Sequence, residues 1–144
     1  MYTLDANIYA RAIDPNDPNY DACHALLERL KQGDVRVVVP TLLLAELAAS
    51  ISRVRRDPMR ARITVDALQA LPCITFIDLD RALGQEAAEI AADRAVKEAD
   101  AVYIAVARRH SSTLVTLDHE QATRAAPIVT VMTPQEALAA LTSP

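Results

Sequence analysis

A chain of 144 residues with 51% hydrophobic content fits one globular domain and can bury a core without disulfide or metal staples. A formal net charge of −4 argues against gripping a polyanion through the overall field. With one Phe and no Trp, the chain also lacks base-stacking platforms built from those rings.

Tyr2 to Leu4 reads as a short buried strand, followed by a helix from Ala6 to Ile13. After the turn cluster Asp14-Pro15-Asn16-Asp17-Pro18-Asn19, the spacing of Tyr20, Cys23, Leu27 and Leu30 predicts a second helix, with Gly33 as its C-terminal cap. Val35 to Val39 is a β-branched run of buried-strand type, and Pro40-Thr41 opens an apolar helix to Arg56. Pro58 starts another helix ending at Pro72, and Cys73 to Ile77 is the third strand. Helices then begin at Asp80, running through Ala95, and at Asp100, running through His110. Thr113 to Leu117 is a strand, Asp118 opens a short helix, Ile128 to Met132 is the last strand, and Thr133-Pro134 starts the terminal helix.

Five short apolar strands separated by helices imply a parallel sheet covered on both faces, a three-layer α/β/α domain spanning residues 1–144. Ligands of such sheets bind beyond the carboxyl ends of the strands, near the point where strand order reverses. Cys23 and Cys73 lie far apart among apolar neighbours and fit reduced core residues. The opening Met1 to Asp5 lacks the basic and apolar runs of an export signal, and Val37 to Ile51 is too short to span a bilayer, so a soluble cytoplasmic protein is expected.

Acidic residues at strand ends are therefore the ones to weigh. Asp5 ends the first strand, Asp118 ends the fourth, and Asp100 precedes Ala101-Val102-Tyr103-Ile104, so helix capping accounts for each of them as readily as chemistry does. Capping cannot account for Glu46, the only charged residue between Val37 and Ile51, inside Leu42-Leu43-Leu44-Ala45-Glu46-Leu47. A helix this apolar should be largely buried, and a buried carboxylate is costly unless paired with an arginine or bound to metal. Convergence of all four acids would call for a cation, and oxygen-only ligands favour Mg²⁺ or Mn²⁺ over Zn²⁺. His119 is expected to be exposed, and His24 and His110 have no recognisable partner.

The segments Leu4-Asp5-Ala6-Asn7, Pro40-Thr41 with Glu46, Ala99-Asp100-Ala101 and Leu114-Val115-Thr116-Leu117-Asp118, in this order, resemble the four acidic motifs of the PIN-domain family. The likeness extends over essentially the whole chain and is nearest to the VapC-like toxin ribonucleases of VapBC toxin–antitoxin pairs. It implies metal-dependent endonucleolytic cleavage of RNA, with Asp5, Glu46, Asp100 and Asp118 as catalytic metal ligands and Asn7 and Thr116 as polar auxiliaries. A small antitoxin partner and a homodimer are implied as well. Two positions depart from the pattern: Glu98 stands where many relatives have glycine, and His119 follows Asp118 where a basic residue is common.

Arg53, Arg55, Arg56, Arg60 and Arg62 fall within ten residues and form a basic stripe, either a solvated helix face or a track for RNA phosphates. Two rival functions share the fold class. A phosphatase with an Asp-x-Asp nucleophile is disfavoured because position 7 is Asn and neither lysine, Lys31 or Lys97, ends a late strand. A PIN-like scaffold that binds RNA or protein without cleaving is disfavoured by the complete acid set.

Overall fold

The computed structural model describes residues 1–33 and 35–143. Strand β1 (Tyr2–Leu4) is followed by helices α1 (Ala6–Ala12) and α2 (Tyr20–Gln32), strand β2 (Val37–Pro40), and helices α3 (Leu42–Arg55) and α4 (Pro58–Gln69). Then come β3 (Ile74–Ile77), α5 (Arg81–Arg94), α6 (Glu98–Arg109), β4 (Thr113–Val115), α7 (His119–Ala125), β5 (Val131–Met132) and α8 (Pro134–Thr142).

The strands form one parallel sheet in the order β3-β2-β1-β4-β5. From β1 the chain steps outward through β2 to β3, then crosses back to β4 and steps the other way to β5. Right-handed crossovers accordingly put α1 to α4 on one face and α5 to α7 on the other. The expected α/β/α sandwich is what forms. Its switch point lies between β1 and β4, where Thr3 pairs with Leu114 and Leu4 with Val115.

Composition explains the layering. β2 is buried along its whole length, as a β-branched strand covered on both faces must be. On α3, Leu43, Leu47 and Ile51 recur at i, i+4 and i+8 and supply a single buried stripe. Helix α6 buries all seven residues from Ala101 to Ala107 because it is wedged between the sheet and α5. The core is aliphatic, with Tyr103 the largest of its fully buried side chains.

Local differences from the sequence reading have physical causes. Gly33 ends α2, but with φ −119 and ψ 175 it is extended, so the chain runs on without the left-handed cap expected of it. Helix α6 starts at Glu98 because Lys97 takes the N-cap position, which places Asp100 in the first turn rather than ahead of it. β4 stops at Val115; just beyond it the Thr116 N–H still donates to the Met132 carbonyl at 3.2 Å, while the Thr116 and Asp118 side chains make bonds of their own. Cys23 is buried and Cys73 half-buried, both as free thiols.

Candidate metal centre

The carboxyl ends of β1 and β4 open onto a pocket of about 490 Å³. Asp5, Asn7, Glu46, Ser50, Arg53, Asp100 and Asp118 are among its lining residues. All four sequence-predicted acids thus meet at one place, each delivered by a different element: the end of β1, the middle of α3, the first turn of α6 and the turn after β4.

The capping alternative divides them. Asp118 does cap a helix, its Oδ1 accepting the Gln121 N–H at 3.0 Å. Asp5 holds an N-cap position at α1, yet its side chain makes no cap bond. Instead Asp5 Oδ2 accepts from the Asn7 amide at 2.7 Å and from the Thr116 hydroxyl at 3.2 Å, and the Asp118 N–H in turn donates to Thr116 Oγ1 at 3.0 Å. Thr116 therefore ties the first and fourth acids together, while Asn7 holds the first. Asn7 Oδ1, also buried, has no hydrogen-bond partner among the described residues.

Glu46 corrects one premise of the sequence reading. Helix α3 is not buried all round; Ala45 is exposed and Glu46 half-buried on its side of the helix. Nor does an arginine neutralise it: among the described residues Glu46 has no ion pair, and its Oε2 accepts a hydrogen bond from the Tyr103 hydroxyl at 2.6 Å. Tyr103 escaped the sequence reading. The available signal was a tyrosine, rather than a phenylalanine, inside an otherwise apolar helix, because a buried phenol needs a polar partner.

Crowding of like charges sets the electrostatics. Burial, then the neighbouring Asp100 and more weakly Glu46, push the Asp5 carboxyl up to about 7, partly offset by the Ala6 N–H and the Thr116 hydroxyl. Burial first and Asp118 second raise Asp100 to about 6, against the opposing pull of Lys97. Groups that resist ionisation for this reason are the ones a cation would relieve.

The donor set is entirely oxygen, as a hard divalent cation requires. Among the described residues no three His, Cys, Asp or Glu side chains converge into a ready-made cage. The acids stand apart on the pocket walls. The chemistry of the set would suit Mg²⁺ or Mn²⁺, and Asp5, Glu46, Asp100 and Asp118 are the residues that could hold it.

The arginines of the stripe sit in different surroundings. Arg53 reaches the pocket lining, and Val54 beside it, 73% exposed, forms part of the rim. Arg55 turns away, pairing with Asp14 at 3.5 Å and reaching the Ile13 carbonyl at 3.4 Å. Arg56, Arg60 and Arg62 are exposed on the α3–α4 turn and on α4. His119 is exposed as expected.

The sequence profile of the PIN domain matches residues 2–127. The chain belongs to the PIN domain family. Among curated proteins none matches it. Solved structures similar to this PIN domain include Mycobacterium tuberculosis VapC20, described as a sarcin-ricin loop cleaving toxin, with a TM-score of 0.72 at 18% identity over 90% of this chain and 97% of that one. VapBC2 from Rickettsia felis, bound to a promoter DNA fragment, gives 0.69 at 20% identity over 92% and 97%. A toxin–antitoxin complex from Klebsiella pneumoniae gives 0.67 at 18% identity over 93% and 98%. At these identities the likeness is one of fold, and this PIN domain shares it along nearly the full length of both partners. No helix among the described residues is long and apolar enough to cross a membrane.

Proposed function

We propose that this PIN domain is a Mg²⁺- or Mn²⁺-dependent endoribonuclease, the toxin of a toxin–antitoxin pair, hydrolysing RNA phosphodiesters at the pocket between β1 and β4. The observation that carries this reading is that Asp5, Glu46, Asp100 and Asp118, from four separate elements, all line one pocket at the switch point. Structural similarity to VapC20, a cleaving toxin, and to a toxin–antitoxin complex supports the biological role and a small antitoxin as partner.

Bound among the four carboxylates, the cation would activate the attacking water and offset charge on the phosphate. The protein's own contribution is positional. Asn7 and Thr116 hold Asp5 through its Oδ2, and the Thr116 hydroxyl also fixes the Asp118 backbone. Arg53, the basic side chain in the lining, stands where a phosphate oxygen approaching the acids would meet a guanidinium. Burial of Asp5 at 7% exposure keeps bulk water from shielding the charges that hold the cation.

The test is an RNA cleavage assay with Mg²⁺ or Mn²⁺ against a chelator, on the native chain and on Asp5→Asn. Cation-dependent cleavage lost in the variant is expected. Mn²⁺ binding without cleavage across structured and single-stranded RNAs would instead identify a binding module.

A further inference from the structure

From the Glu46 contact, we infer that Tyr103 is a positioning residue for the candidate site, its buried hydroxyl holding the Glu46 carboxylate in the orientation that receives a divalent cation. The inference rests on the proposed role of Glu46 as a ligand and assigns a residue outside the four acids to the same site.

Tyr103 is 1% exposed in the middle of α6, so its ring is fixed by the core packed around it. Its hydroxyl reaches across to α3 and donates to Glu46 Oε2 at 2.6 Å, the short distance of a bond to a charged acceptor. Glu46 is the only half-buried, long-chain member of the acid set whose element is a plain helix interior, with no turn or strand end to orient it. Fixing a glutamate side chain costs rotamer freedom, and a rigid donor beneath it removes that freedom in advance. Glu46 Oε1 makes no hydrogen bond to the described residues, and Glu46 lines the pocket.

The phenol is suited to act only as a donor. Burial, then the hydrogen bond to Glu46 and the charges of Glu46 and Asp5, hold its ionisation far above the ordinary phenol range. Ligand-orienting hydrogen bonds of this kind are worth about 10–100-fold in metal affinity.

The experiment is a double-mutant cycle read by Mn²⁺ calorimetry on the full chain, with thermal unfolding in chelator as a control. Tyr103→Phe removes the hydroxyl without changing the ring, and about tenfold weaker Mn²⁺ binding is expected with little change in the metal-free melting temperature. In a Glu46→Gln background, which itself weakens Mn²⁺ binding, adding Tyr103→Phe should cost nothing further. Glu46→Asp, which retains the charge but withdraws the carboxylate from the hydroxyl and leaves the core untouched, should likewise be insensitive to Tyr103→Phe. Unchanged affinity in Tyr103→Phe, or equal losses in every background, overturns the positioning role while leaving Glu46 as a ligand. Unchanged affinity in Glu46→Gln removes both the ligand role and this inference.

Discussion

Thr116 binds Asp5 from just past the end of the neighbouring strand: its hydroxyl donates to Asp5 Oδ2 at 3.2 Å while accepting the Asp118 N–H at 3.0 Å. One buried hydroxyl thus couples the first and fourth acids across the switch point, and it does so because β1 and β4 are paired in register up to Leu4 and Val115. Substituting Thr116→Val keeps the shape and deletes both bonds. The stranded Asp118 N–H, with Asp5 Oδ2 left to Asn7 alone, should cost about 1–3 kcal/mol, read as a lower urea midpoint at unchanged slope, together with weaker Mn²⁺ binding. An unaltered midpoint would mean that the hydroxyl is not what couples these acids.

Metal-free stability should fall as pH rises. Asp5 and Asp100 have folded pKa values raised to about 7 and about 6 from an ordinary 3.8, so the folded chain binds more protons than the unfolded chain between those limits. Their favourable contribution is complete below the ordinary carboxylate value and is lost as pH climbs through 6 and 7. Melting temperatures in chelator should therefore decline from pH 5 to pH 8. Asp5→Asn should flatten that decline, and saturating Mn²⁺ should reverse it at the upper end. A native profile as flat as that of the variant rules out the raised Asp5.

Arg53 and Arg55 should behave differently although two residues apart. Arg53 lines the pocket, so Arg53→Ala is expected to weaken RNA binding several-fold and to reduce its salt dependence by about one phosphate contact. Arg55 is engaged with Asp14 and the Ile13 carbonyl, so Arg55→Ala should leave RNA affinity unchanged. Filter binding at several salt concentrations would distinguish them. Equal effects would restore a continuous basic stripe.

Tyr9 presents the opposite case to Tyr103. Its hydroxyl is buried, with the residue 2% exposed, and has no hydrogen-bond partner among the described residues. An unsatisfied buried hydroxyl costs about 1–3 kcal/mol, so Tyr9→Phe should raise the melting temperature or leave it unchanged. A marked drop would show that the hydroxyl is bonded after all.

Much of the candidate site was legible in the sequence because each acid sits at a punctuation point or breaks a pattern. Asp5 and Asp118 close apolar strand runs, and Glu46 interrupts the uncharged stretch around it. The reason first given for singling out Glu46 was nevertheless wrong in part. Apolar composition suggested a helix buried all round, whereas α3 fully buries only the Leu43, Leu47 and Ile51 stripe, half-buries its flanks and leaves Ala45 to solvent. Alanine and leucine are compatible with either surroundings, so composition could not decide the exposure of that face.

The sequence by itself determined the order and type of the elements, the parallel character of the sheet and the four acids, since these follow from local periodicity and from where charge falls within it. Only the tertiary structure decided which groups touch. That Asp118 caps a helix while Asp5 does not, that Arg53 faces the pocket while Arg55 leaves it, and that Tyr103 lies under Glu46 across 57 residues depend on how α3 and α6 are set against the sheet. Such contacts are fixed by long-range packing, in which residues far apart in the chain share one volume, and no local pattern encodes them.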